Sequence, residues 1–203
     1  RIIRAIDLSP PSKEELKFFP GKKSDYDLIE NPNDRIDAKK LRLASVLIGI
    51  TDVDSPKVIL TKRSIHLEQH SGQIAFPGGK VEKNETATEA ALREAEEEIG
   101  ILSNEIEVCG YLDTYETGTG FRILPVVAFV KEKFTKKINK LEVDELFEVP
   151  LDFILDSDNH VLKSGFWNGS VRQYYTINYY DYNIWGATAG MLVNLFDRIK
   201  SNA

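Results

Sequence analysis

The sequence predicts an α/β fold, a central mixed sheet covered by helices on both faces, and three observations carry that expectation. Apolar, β-rich runs recur at residues 44–50, 58–61, 105–115 and 123–130; a capped helix follows the first pair; and an amphipathic helix closes the chain. Strands and helices mixed in that order bury their apolar faces by stacking helix, sheet and helix.

Residues 1–40 differ in kind from the rest. Pro10-Pro11-Ser12-Lys13-Glu14-Glu15 carries the S-x-x-E signal of a short helix, and Asn31-Pro32-Asn33-Asp34 is turn-rich. An N-terminal extension packed on the core is expected there, followed by one domain over residues 41–203 that ends in the C-terminal helix. Runs 44–50 and 58–61 are separated by turn residues at 52–56, which predicts a hairpin. The runs at 105–115 and 123–130 are two further strands joined through Gly118-Thr119-Gly120. From Tyr179 the chain begins as a strand and becomes a helix, with Ile184, Thr188, Met191, Leu192, Leu195, Phe196 and Ile199 at core spacing. Trp185 reads as a core aromatic, with stacking on a base as the alternative.

The helix that carries chemistry starts after Pro77-Gly78-Gly79. Thr86 and Glu89 form a capping box, and Gly100 suits the left-handed residue that ends a helix. At roughly 100° per residue, Glu94, Glu97 and Glu98 share one side, while Leu92, Ala95 and Ile99 share another. One face can hold cations and the other can pack. A purely structural helix has no use for this arrangement: Glu94 and Glu98 repel at i,i+4 by roughly 0.2–0.5 kcal/mol. Glu97 and Glu98 also sit at the negative end of the helix dipole, at a cost of about 0.3–1 kcal/mol each. Arg93 offsets part of this. Converging carboxylates exceed one guanidinium, and hard oxygen ligands suit Mg²⁺ or Mn²⁺. A solvated acidic face with Arg93 in a surface salt bridge is the alternative.

The full spacing resembles the signature of the Nudix hydrolases, G-x5-E-x7-R-E-U-x-E-E-x-G-U with U aliphatic. Gly79, Glu85, Arg93, Glu94, Glu97, Glu98 and Gly100 occupy its fixed positions, with Ala95 and Ile101 at the aliphatic ones. The resemblance implies an α/β/α sandwich and metal-dependent hydrolysis of a nucleoside diphosphate linked to another moiety. It implies metal ligation by Glu94, Glu97, Glu98 and the carbonyl of Gly79, with Glu85 and Arg93 holding the loop and orienting Glu94. The general base is a carboxylate, either a glutamate of the signature, Glu97 or Glu98, or a later one such as Glu116 or Glu145. Residues 142–151 resemble the short segment with which such proteins lead into the last helix, Pro150 stopping or redirecting the chain.

Upstream, the stretches 59–64 (Ile-Leu-Thr-Lys-Arg-Ser) and 72–79 (Gly-Gln-Ile-Ala-Phe-Pro-Gly-Gly) resemble the motif of the coenzyme A pyrophosphatase subgroup, L-L-T-x-R-S/A-x3-R-x3-G-x3-F-P-G-G. The Ile-Trp-Gly-x-Thr-Ala stretch at 184–189 is similar to one in the same subgroup. Glu68 departs from the motif, standing where it has a second arginine. A carboxylate there weakens anion recognition if that arginine touches substrate. Lys62, Arg63 and Arg122 are the basic candidates for phosphate contacts. His66 and His70 read as loop histidines.

Composition narrows the partners. With 203 residues, 42% hydrophobic, the chain can bury an ordinary single core. A net charge of −6 provides no basic stripe, which excludes a nucleic-acid face, and Lys131 to Lys140 read as a solvated loop. No run of about 20 apolar residues exists, so no membrane span is expected, nor is a secretion signal visible. The single cysteine, Cys109, fits a reducing cytoplasm and reads as a buried strand residue. A small-molecule nucleotide is the expected partner. The extension suggests dimer contact or pocket lining, hence a homodimer. Three functions compete: hydrolysis of coenzyme A or acyl-CoA, hydrolysis of ADP-ribose or a nucleoside triphosphate, and a catalytically silent nucleotide-binding module.

Overall fold

The computed structural model describes residues 2–28, 35–167 and 170–202. Helices α1 (Ile2–Ala5) and α2 (Lys13–Phe18) precede strand β1 (Lys23–Ser24). The hairpin β2 (Arg42–Thr51) and β3 (Lys57–Arg63) follows, then β4 (Ile74–Ala75), β5 (Gly78–Lys80) and helix α3 (Ala87–Ile99). Strands β6 (Ile106–Tyr111), β7 (Tyr115–Glu116), β8 (Phe121–Val130) and β9 (Val143–Pro150) complete the large sheet. Helix α4 (Leu151–Ile154) and strands β10 (Val161–Trp167), β11 (Ser170–Tyr179) and β12 (Tyr182–Trp185) then lead to α5 (Gly186–Ser201). The turn expected at residues 31–34 lies outside the described residues.

The sheet is mixed, with β1, β7, β8, β2, β3 and β4 in order and β5, β6 and β9 attached to β2, β8 and β3. Strands β2 and β8 run parallel from Arg42↔Phe121 to Thr51↔Val130, whereas β3 and β5 are antiparallel to β2. Two-residue alternation then sorts the side chains between the faces. Leu47, Leu124, Val126 and Ala128 pack with Ala87, Ala91 and Ala95 of α3. Ile48, Ile50, Val58, Leu60 and Val127 pack with Leu192 and Leu195 of α5. Helices therefore cover both faces, and the fold class is the expected one. Alanines at the α3 contact let that helix lie close to the strands.

Residues 142–151 do not lead straight into the last helix. Strand β9 pairs antiparallel with β3 from Lys57↔Pro150 to Arg63↔Val143, and Pro150 ends it, where no further ladder N–H is needed. A separate antiparallel sheet, β10–β11–β12, then intervenes before α5. Its signal lies in the sequence: Asn168-Gly169 between β-prone runs is a hairpin dipeptide. Cys109 departs from the expectation too. It sits at an irregularity of β6 between Val108 and Gly110 and is only half-buried.

The first residues contact the sheet at several points. Ser12 and Glu15 close the capping box of α2, and Leu16 is buried beside Leu47 and Tyr111. Asp7 exchanges backbone hydrogen bonds with Tyr111, and Arg198 of α5 pairs with Asp7 at 2.9 Å. Among the described residues, no helix is long and apolar enough to cross a membrane.

Candidate active site

Two glycines make room for the site. Strand β5 pairs with β2 through Ser45↔Gly79 and Val46↔Gly78. A Cβ on Gly78 would lie 2.4 Å from the carbonyl oxygen of Ser45. A Cβ on Gly79 would lie 2.3 Å from Glu94 Oε1. Glycine at both positions lets β5 fit between β2 and the carboxylate of α3. Helix α3 begins at Thr86, whose hydroxyl accepts from the N–H of Glu89, and ends at Gly100 with φ 80°.

Arg93 is the hub of the loop before the helix. Its Nε and Nη2 donate to the two oxygens of Glu85 at 3.0 and 2.8 Å, and Nη1 donates to Glu94 and Glu97, each at 3.0 Å. Nη2 also reaches the carbonyl of Lys80 at 3.2 Å. Glu85 accepts from the N–H of Glu82. The Arg93 hydrogen bonds hold the Glu85 carboxyl below its ordinary value.

The carboxylates do not all converge. Glu94 and Glu98 stand in one i,i+4 column, and the turn before β9 adds Glu142; the three offer oxygens within 4.8 Å of one another. Glu97 belongs to the neighbouring column, where Arg93 holds it half-exposed. Of the carboxylates named from sequence, the structure brings Glu94 and Glu98 together with Glu142 and places Glu97 outside that group. Glu142 is placed by Asn139, whose Nδ2 donates to Glu142 Oε1 at 2.9 Å and whose N–H donates to the carbonyl of Glu98 at 2.9 Å. Its sequence signal is the acidic run from Glu142 to Glu145, in which nothing local distinguishes one acid from the next.

Glu98 is only 3% exposed. Burial pushes its carboxyl up to about 8, against the pull of Arg63 and a hydrogen bond from the N–H of Gly78. Glu94 is raised by the same desolvation, against its bonds to Arg93. Buried carboxylates with so little compensation are where a cation is accommodated. The donor set fits one: three hard oxygen donors with no sulfur or imidazole suit a divalent cation such as Mg²⁺ or Mn²⁺.

The family model of the NUDIX domain matches residues 40–162. The chain belongs to the Nudix family. Two curated relatives, uncharacterized Nudix hydrolases NudL of Escherichia coli and of Escherichia fergusonii, are each 38% identical over 155 residues, 76% of this chain and 81% of theirs. The solved MutT/nudix family protein from Enterococcus faecalis shares the fold with a TM-score of 0.50 at 18% identity, covering 82% of this chain and 65% of that one. As a Nudix hydrolase, the protein is a pyrophosphohydrolase acting on nucleoside diphosphate derivatives. Members of the family generally use divalent metals.

The basic candidates of this Nudix enzyme fall in three different places. Arg63 lies at the carboxylates, Nη1 3.8 Å from Glu98 Oε1, with its buried Nε unpartnered among the described residues. Lys62, the next residue of β3, opens instead into a cavity beside Tyr182 and Trp185. Arg122 cannot contact substrate where it stands: it is 2% exposed and paired with Glu116 at 2.7 Å. The register Glu116↔Arg122 across β7 and β8 brings this pair together. Glu116 is thereby excluded as general base. Glu145 accepts from the hydroxyl of Tyr182, on the cavity side and away from the other carboxylates. His66 and His70 are exposed loop residues, and His70 Nδ1 lies 2.9 Å from Gln73 Oε1. Trp185 is 37% exposed at the mouth of the cavity rather than in the core.

Proposed function

We propose that this Nudix enzyme cleaves the pyrophosphate linkage of coenzyme A or acyl-CoA to 3′,5′-ADP and (acyl-)phosphopantetheine, using Mg²⁺ or Mn²⁺ in a reducing cytoplasm. The convergence of Glu94, Glu98 and Glu142 is the observation that carries the hydrolytic part. The stretches 59–64 and 72–79 support coenzyme A. Glu94, Glu98 and Glu142 are the residues that would hold metal, with the carbonyl of Gly79 beside them. When bound, the cation neutralises non-bridging phosphate oxygens and lowers the pKa of water. Arg93 and Glu85 keep Glu94 oriented toward Glu98, and Glu97 is the solvent-accessible carboxylate available to take the proton of attacking water. Arg63, whose Nε has no partner among the described residues, faces the phosphates.

Exposed Glu68 favours a second reading, in which ADP-ribose or a nucleoside triphosphate is the substrate, because a carboxylate there repels the extra 3′-phosphate of coenzyme A. Hydrolysis of all three classes with Mg²⁺ or Mn²⁺ decides between them. Coenzyme A is expected to be cleaved fastest, and Glu98→Gln to lower kcat by about 10²–10³-fold with weaker Mn²⁺ binding in calorimetry; Glu97→Gln is expected to lower kcat and leave Mn²⁺ affinity less affected. Faster cleavage of ADP-ribose or a triphosphate selects the second reading. No hydrolysis under either metal leaves a silent nucleotide-binding module.

A further inference from the structure

On the sheet face away from Glu94 and Glu98 lies a cavity of about 470 Å³. Its walls include Lys62 of β3, Gln73 before β4, Glu145 of β9, and Tyr182, Asn183 and Trp185 of β12. Alternation along β3 separates it from the carboxylates. Ile59 packs with Ile99 of α3, whereas Val58 and Leu60 pack toward α5. Continuing that pattern, Arg63 points to Glu98 and Lys62 to the cavity. Consecutive residues at one strand end thus serve two places.

The wall is held in shape by contacts that no ligand need provide. Tyr182 stacks on Phe147 with ring centroids 3.7 Å apart and planes 5° apart. Trp185 meets Tyr174 edge-on at 5.8 Å. Thr188 Oγ1 donates to the carbonyl of Ile74 at 3.1 Å, fastening the first turn of α5 to β4. That bond joins the stretches 72–79 and 184–189, and the cavity is where they meet.

Charge decides what the cavity accepts. Among the described residues, Lys62 is the one cation of the lining, against the carboxylates of Glu145 and Asp181, so a polyanion is repelled. Amide groups are welcome: Gln73 has its oxygen facing His70 and carries an NH₂ donor beside it, and Asn183 adds both donor and acceptor. Aromatic rings cover the methylene and methyl groups between such amides. The volume lies within the range of small-molecule sites, roughly 300–1,000 Å³.

We propose that this cavity binds the uncharged, amide-bearing arm of the substrate, the pantetheine half of a coenzyme A, while the phosphoanhydride lies at the carboxylates around the end of β3. The assignment rests on the coenzyme A reading above. Two measurements on the full chain test it, with wild type, Asn183→Ala, Trp185→Ala and Trp185→Phe. Positions 183 and 185 are exposed, and thermal melts verify that each variant is folded.

The first measurement compares kcat/KM for coenzyme A with that for the methyl ester of 3′-phospho-ADP, which lacks the arm. The ratio is expected to fall at least about tenfold in Asn183→Ala and Trp185→Ala, the scale of one lost polar or apolar contact, and Trp185→Phe is expected to recover most of it. The second measures binding of free pantetheine by ligand-observed NMR, expected in wild type and lost in both alanine variants. Equal losses for the two substrates, or pantetheine binding that the variants leave intact, overturn the assignment, as does displacement of pantetheine by adenosine. Pantetheine binding that the variants abolish, in an enzyme that does not cleave coenzyme A, supports the cavity and sinks the substrate reading alone.

Discussion

A charge on Glu98 would find little in its surroundings to stabilise it, which is why burial pushes its carboxyl up to about 8. Its partners are the N–H of Gly78 at 3.2 Å and the guanidinium of Arg63 at 3.8 Å, and Glu94 and Glu142 add negative charge beside it. The strength of the site as a cation trap therefore depends on how closely those oxygens can be held together. Gly79 sets that limit, since any side chain there would occupy the place of the Glu94 carboxylate. In Gly79→Ala the methyl group is relieved only by turning Glu94 away from Glu98 or by displacing β5. Mn²⁺ affinity is expected to drop about 10–100-fold, the usual effect of disturbing what orients a ligand. Calorimetric titration measures it, and a wild-type affinity in the alanine variant would remove Glu94 from the ligand set.

Helix α3 is legible in the sequence because its determinants are local: capping box, apolar period and Gly100 lie within one short segment. The partners it meets are not local. Glu142 arrives through the turn after residue 136, where Lys137 and Asn139 donate their N–H groups to the last-turn carbonyls of Ile99 and Glu98, each at 2.9 Å. Those carbonyls need partners at any helix end, but nothing in the helix sequence says which segment supplies them. Arg122 was open to misreading for a similar reason. A basic residue after a turn looks exposed until the β7–β8 register sets it opposite Glu116. Strands β2, β3 and β8, by contrast, show directly as near-continuous apolar runs, because both of their faces are buried. The helix end allows a prediction at this scale. A Cβ on Gly100 would lie 2.7 Å from the backbone nitrogen of Lys137, at a φ of 80°. Gly100→Ala is expected to cost about 1–2 kcal/mol in urea denaturation and to weaken Mn²⁺ binding as well, since the displaced turn carries Glu142. Lost stability with unchanged Mn²⁺ affinity would show that Glu142 is not a ligand.

Across the whole molecule, one buried carboxylate gathers several of the bonds that tie the N-terminal segment to the sheet, beside the β1–β7 pairing and the contacts of Asp7 and Leu16. Glu116 is 1% exposed and accepts from the N–H of Gly21 at 2.7 Å, from Arg35 Nη2 at 2.8 Å and from Arg122 Nη2 at 2.7 Å. Arg122 Nη1 in turn donates to the carbonyl of Leu16 at 2.8 Å. Residues 21 and 35 are thus tied to β7 through a single acid, and residue 16 to β8 through the arginine that the acid holds. Burial alone pushes the Glu116 carboxyl up, but the bonds from Gly21, Arg122 and Arg35 outweigh it and hold the group below its ordinary value of 4.5. A depressed carboxyl contributes stability that is fully present above the unfolded-chain value and is lost as pH falls through the folded one. Wild type is therefore expected to lose stability below about pH 4.5 more steeply than Glu116→Gln, which is less stable at neutral pH because it leaves two guanidinium groups without their carboxylate. Urea denaturation at successive pH values measures both slopes. Because the Gly21 and Arg35 bonds that fail belong to the N-terminal segment, and Arg122, which holds the Leu16 carbonyl, loses its carboxylate, hydrogen exchange in residues 16–26 should rise in acid before exchange in β2 and β8. Parallel stability curves for the two proteins, or simultaneous opening of segment and sheet, would show that acid acts elsewhere.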